Sequence, residues 1–134
     1  MSEILIPSDR YYTKTHEWAL IENNLVKVGI TDYAQKQLHE IVSCELPEEG
    51  KEIKKGDVLS VIGSVKAVAD VYSPVSGKIV KVNKALEIKP EMLNLDPYGE
   101  GWIAIIEPAE IKELETLLKP SEYQTEIIKE KHKP

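Results

Sequence analysis

The stretch from Gly63 to Gly77 limits the fold more than any other. It reads Gly-Ser-Val-Lys-Ala-Val-Ala-Asp-Val-Tyr-Ser-Pro-Val-Ser-Gly, and two reversals have to fit inside it. Strand-forming residues lie on both sides, with Val58, Leu59, Val61 and Ile62 before it and Val71, Val75, Ile79, Val80 and Val82 in and after it. Ser73 to Gly77 reads as the second turn, where proline fixes φ and glycine accepts a positive one. The first reversal carries a lone lysine, Lys66, among small and apolar neighbours. Strands this short and turns this tight leave no space for a crossover helix, so the centre of the chain is antiparallel.

The rest of the sequence agrees with a strand-built core. The 134 residues include six Tyr, two Trp and no Phe, so Val, Ile and Leu must fill the interior. That length supports one domain with a core of its own. The formal net charge of −6 argues against nucleic acid or an anionic membrane as a partner, because both select a basic face. The lone Cys44 excludes an intrachain disulfide and fits an intracellular, cytoplasmic protein. The opening residues lack the basic and apolar regions of a signal peptide, and no apolar run is long enough to span a membrane.

Read in order, residues 1–11 are expected to be a loose lead-in, 12–128 one domain including C-terminal helices, and 129–134 a fraying tail. Trp18 to Ile21 and Leu25 to Ile30 form a hairpin around Asn23-Asn24, a pair suited to the left-handed turn. Thr31 caps a helix over Asp32 to Leu38, with Tyr33, Ala34 and Leu38 inward. Strands follow at Ile41 to Leu46, Asp57 to Ile62, Ala69 to Tyr72, Lys78 to Val82 and Trp102 to Ile106. Pro90 opens one or two helical turns. Pro108 is expected to start a helix with Ile111, Leu114, Leu117 and Leu118 on one stripe, ended by Pro120. Ser121 then caps a last helix carrying Tyr123, Ile127 and Ile128. The fold class is mainly β (α+β), a compact strand sandwich with short peripheral helices.

Catalytic constellations are missing from this pattern. No phosphate loop or nucleophile elbow occurs, and His16, His39 and His132 do not have metal-ligand spacing. Cys44 alternates within a strand and is a small buried hydrophobe. A chain with no enzymatic apparatus can still take part in chemistry through a covalently held cofactor. That requires a reachable lysine on a rigid element, which a hairpin tip supplies. Spacing alone leaves two readings of Lys66 open, a cofactor carrier or a solvated loop lysine.

Further motifs carry a resemblance. Ser64-Val65-Lys66-Ala67 with Asp70 and Ser73-Pro74-Val75-Ser76-Gly77 closely resembles the lipoyl-lysine hairpin of glycine cleavage system H proteins. Tyr12-Thr13-Lys14-Thr15-His16-Glu17-Trp18 is similar to that family's opening motif, and Val28 to Gln35 to its next hairpin and helix. Glu45-Leu46-Pro47, Asn83-Lys84-Ala85-Leu86 and Asp96 to Trp102 match as well. The likeness runs in order from about Tyr11 to Tyr123.

The resemblance implies a barrel-sandwich hybrid of two small antiparallel sheets with helices at the periphery. It implies a monomeric, non-catalytic carrier with lipoate in amide linkage on Lys66. Its partners would be the glycine-decarboxylating P protein, the aminomethyl-transferring T protein, the dihydrolipoyl-oxidising L protein and a lipoate-attaching enzyme. It also implies a cleft for the loaded arm, formed by Thr15, Glu17, Ala34, Gln37 and Asp70, in which Glu17 or Asp70 holds the arm's amine. One departure stands out: Gly63 occupies a position where the family usually has Glu, three residues before the lysine. Other readings are an H-like carrier in lipoyl relay or sulfur oxidation, or an unmodified scaffold domain. A biotin carrier fits poorly, because Val65-Lys66-Ala67 lacks methionines on both sides of the lysine.

Overall fold

The computed structural model describes residues 3–131. Among these described residues, nine strands form two antiparallel sheets. The larger sheet has the order β1 (Tyr11–Tyr12), β2 (Glu17–Glu22), β3 (Leu25–Ile30), β9 (Ala104–Pro108), β8 (Gly77–Val82), β5 (Glu52–Ile53). The smaller sheet is β4 (Ile41–Glu45), β6 (Val58–Ser64), β7 (Val68–Tyr72). Helix α1 (Asp32–Leu38), the single turns α2 (Ala85–Ile88) and α3 (Met92–Leu95), a 3-10 helix (Ile111–Thr116) and α4 (Pro120–Lys131) surround them. This is the two-sheet sandwich with peripheral helices that the sequence predicts.

The interior has two parts. Between the sheets lies an aliphatic core with Val28, Ile41, Ile62, Val75, Ile79, Leu93, Ile103 and Ile106 among its members. Each such side chain contributes about 1.5–3 kcal/mol through burial. A second, aromatic cluster joins Tyr12, Trp18, Tyr33 and Tyr123 with Ile127, linking β1, β2, α1 and α4. Tyr12 and Tyr123 stack at 4.7 Å. The Trp18 indole donates to the Pro97 carbonyl at 3.0 Å and lies under the Arg10 guanidinium. Gly29 is required here, since a Cβ would come within 2.6 Å of the Trp18 ring.

The first hairpin turns at Asn23 and Asn24 with φ of 52° and 65°, the left-handed pair that its sequence asks for. Thr31 Oγ1 accepts from the Ala34 N–H at 3.2 Å and caps α1. The turn Ser73 to Gly77 carries the chain from the small sheet into the large one. Gly77 serves packing rather than a positive φ. A Cβ there would stand 2.1 Å from the Glu107 carbonyl oxygen on the paired strand β9.

Four expectations change. The lead-in is pinned: Leu5 N–H donates to Asp32 at 2.9 Å, the Tyr98 hydroxyl donates to the Leu5 carbonyl at 2.6 Å, and β1 begins at Tyr11. Strand β9 runs through Pro108, so no helix starts there. Pro108 lies near the sheet's end, and the stripe Ile111 to Leu118 yields only a 3-10 helix. Pro120 opens α4 instead of closing its predecessor, in the N-terminal position where a missing N–H costs nothing. Residues 129–131 belong to α4, while His132 and the rest of the expected tail lie outside the described residues.

Candidate functional site

Strands β6 and β7 pair in register from Val61↔Asp70 to Gly63↔Val68, which places Ser64-Val65-Lys66-Ala67 at the tip. Ser64 organises this turn. Its N–H donates to the Ala67 carbonyl at 2.8 Å, and its hydroxyl oxygen accepts from the N–H groups of Lys66 and Ala67 at 3.2 and 3.0 Å. Val65 N–H donates to the Glu40 carbonyl at 3.0 Å, tying the tip to the segment after α1. The tip side chains face solvent, with Val65 66% and Val68 74% exposed. The Lys66 ammonium is exposed and, among the described residues, reaches only the Gln37 carbonyl oxygen, at 3.5 Å.

Beside Gln37 opens a cavity of about 250 Å³. It lies between the opening-motif turn, α1 and β7, and its apolar walls include Ile30, Ala34, Leu38, Ile62 and Val71. Thr15, Glu17, Gln37 and Asp70 also line it, so the five residues named from the sequence as a cleft share one surface. The volume is just under the ~300 Å³ at which small-molecule sites begin, and suits one narrow chain.

Glu17 is neither a surface carboxylate nor a free one. It is 1% exposed. Oε1 accepts from the hydroxyls of Thr13 and Thr15, each at 2.5 Å, and Oε2 from the Tyr72 N–H at 3.1 Å. A carboxylate offers about four acceptor positions, so one remains, on Oε2. Glu17 therefore ties the opening-motif turn to the end of β7 and gives the cavity a fixed polar wall. Asp70 differs: it is exposed, and no described residue donates a hydrogen bond to its carboxylate.

Two lining residues escape a sequence reading. His16, which in the sequence shows only a lack of metal-ligand spacing, sits at φ 74°, a strained position for a side chain of its size. Glu130 comes from the last turn of α4. His16 Nε2 lies 3.0 and 3.1 Å from the two Glu130 oxygens, and Nδ1 lies 2.8 Å from the Tyr123 hydroxyl. That hydroxyl is 2.7 Å from Thr31 Oγ1. Burial pushes the Tyr123 phenol well up from its ordinary range, so it keeps its proton. One proton per contact closes the chain: Ala34 N–H to Thr31, Thr31 to Tyr123, Tyr123 to His16, His16 Nε2–H to Glu130. The cap of α1, the cavity wall and the last turn of α4 thus form one network. Its signal in the sequence is weak, because the contact joins residues 114 apart.

The other candidates have structural places. Cys44 is buried 3.6 Å from Ser60 Oγ, and burial pushes its thiol up, away from reactivity. Gly63 pairs with Ser43 and Val68, and a Cβ there would meet Ser43 Oγ at 2.4 Å. Only that hydroxyl blocks a side chain.

A family model described as "Glycine cleavage H-protein" matches residues 10–131. This chain belongs to that family. The glycine cleavage system H protein of Thermus thermophilus is 55% identical over 119 residues, covering 89% of this chain and 93% of the relative. Glycine cleavage system H protein 4 of Aquifex aeolicus is 51% identical over 133 residues, 97% of this chain and 78% of that one. A crystal structure of a glycine cleavage system H protein from Mycobacterium marinum superposes with a TM-score of 0.84 at 38% identity, covering 91% of this chain and 98% of that chain. Glycine cleavage H proteins are lipoyl carriers, with lipoate attached covalently to a lysine, and have no catalytic activity of their own.

Proposed function

We propose that Lys66 is the lysine that bears the lipoyl group in this chain, and that the cavity beside Gln37 receives the loaded arm. As a glycine cleavage H protein, the chain takes the aminomethyl group from the P protein to the T protein on an arm that the L protein reoxidises. The observation that carries the assignment is the placement of Lys66. It stands on a self-braced tip, exposed, with its ammonium 3.5 Å from a carbonyl at the mouth of an apolar cavity. Small neighbours leave an attaching enzyme access to the amine, and Asp70 and the spare position on Glu17 suit the cationic end of a loaded arm. Burial there limits water at the labile sulfur–carbon–nitrogen centre.

No helix among the described residues is long and apolar enough to cross a membrane, and we place the chain in the cytoplasm on its likeness to bacterial and archaeal H proteins. Intact mass and peptide mapping of the protein from its native host test the assignment. A lipoyl adduct on Lys66, together with glycine–bicarbonate exchange on adding P protein, is the expected result. An unmodified Lys66 in cells growing on glycine overturns it.

A further inference from the structure

Among the described residues, the cavity lining has three carboxylates, those of Glu17, Asp70 and Glu130, and neither lysine nor arginine. Apolar walls with an acidic border select an apolar chain ending in a cation. Glu17 has three of its acceptor positions occupied by Thr13, Thr15 and Tyr72. Asp70 and Glu130 carry the remaining charge. Among the described residues Glu130 is held in place without being neutralised by a permanent cation: both of its oxygens lie on one imidazole nitrogen, the Tyr33 phenol facing it from α1 is pushed up by burial and by Glu130 itself and stays neutral, and its side chain is 34% exposed.

We propose that Glu130, from the last turn of α4, is a positioning residue for the loaded arm, holding its terminal ammonium protonated inside the cavity. This rests on the arm reaching the cavity from Lys66. The chemistry gives the carboxylate a purpose. In R–S–CH2–NH2 the nitrogen lone pair forms a C=N bond while the C–S bond breaks onto sulfur, giving R–S⁻ and CH2=NH2⁺. Water then converts the iminium to formaldehyde and ammonium. Protonation occupies the lone pair and blocks the first step. A carboxylate close to the ammonium favours that protonated form. The His16 contact aims Glu130 at the cavity, and the Thr31–Tyr123–His16 chain makes the aim depend on the N-terminus of α1.

Glu130→Gln tests this, since its amide oxygen still accepts from His16 Nε2–H and α4 stays docked. The lipoylated, aminomethyl-loaded protein is prepared with P protein, its adduct is confirmed by intact mass, and loss of the aminomethyl group is followed against pH. At neutral pH E130Q is expected to lose the group about three- to tenfold faster, with the midpoint of the pH profile moved down by about half to one unit. Glu126→Gln makes the same charge change one turn earlier on α4, outside the cavity lining, and is expected to move the profile less than E130Q does. Superimposable parent and E130Q profiles overturn the proposal. So does faster loss without a moved midpoint, which marks a purely structural role, or an equal effect of E126Q, which marks net charge. Absence of any adduct on Lys66 overturns this inference and the assignment of the lysine together, whereas an adduct with an unchanged E130Q profile overturns this inference alone.

Discussion

The hairpin tip and the acidic wall of the cavity are neighbours built on opposite principles. The tip is local: Ser64 satisfies the turn from within it, and nothing buried depends on Lys66. The wall is assembled from distant segments: Thr13, Thr15, His16 and Glu17 meet Tyr72 from β7 and Tyr123 and Glu130 from α4. The function proposed for the tip is thus separable from stability, while the one proposed for the wall is joined to it.

The sharpest test of that contrast is Lys66→Arg. It should abolish the lipoyl adduct and glycine–bicarbonate exchange while leaving the urea midpoint unchanged, because exposed substitutions cost within about 0.5 kcal/mol. A lowered midpoint would show that the tip supports the fold. Glu17→Ala should do the reverse in part. It strands the Tyr72 N–H and two hydroxyls, and a loss of about 2–4 kcal/mol is expected from urea unfolding. Lipoylation should persist, with faster loss of the aminomethyl group from the loaded arm. An unchanged stability would break the description of Glu17 as a tie.

Gly29→Ala probes the aromatic cluster that supports the wall. Its methyl overlaps the Trp18 ring, and about 1–3 kcal/mol should be lost, read from the shift in Tm. Asp32, at the first turn of α1, gives a pH-dependent counterpart. Burial raises its carboxyl, but the Leu5 N–H, Gln35 and Lys36 outweigh that and hold it below 3.8. A depressed carboxyl stabilises the fold above its unfolded pKa, and that share disappears as pH falls through the folded value. Asp32→Asn should therefore flatten the stability profile below about pH 4, measured by urea unfolding from pH 2 to 7. A profile as steep as the parent's would assign the acid sensitivity elsewhere. The smallest stability effect belongs to Gly63→Ala. Only the Ser43 hydroxyl stands in the way and it can rotate, so a change within about 0.5 kcal/mol is expected. Gly63→Glu should raise the rate of lipoate attachment if the family's usual acid is read by the attaching enzyme. Equal rates would remove Gly63 from recognition.

The contrast also explains what could be read in advance. Local rules sufficed for Asn23-Asn24, the Thr31 cap, the Lys66 tip and the aliphatic alternation of the strands, since each involves close neighbours in sequence. The five cleft residues came from motif likeness rather than spacing. His16 and Glu130 were missed because the interaction depends on where α4 docks, and one histidine and one glutamate far apart carry no period. Pro108 and Pro120 misled for a related reason: proline marks a boundary without saying which side of it is helical.

The Ser64-braced turn has one further consequence. If Lys66 bears the arm as proposed, the turn makes the arm's origin a fixed point, so that its end stays within one tether length of the cavity. Tethers this short give local concentrations in the millimolar range, of the order of ~1 mM or more. On that proposal the cavity would be an intramolecular rival to any enzyme that needs the arm. An enzyme with ordinary affinity for the free end would then lose that competition unless it gripped the hairpin first, and contact with the protein surface would be the step that releases the cargo.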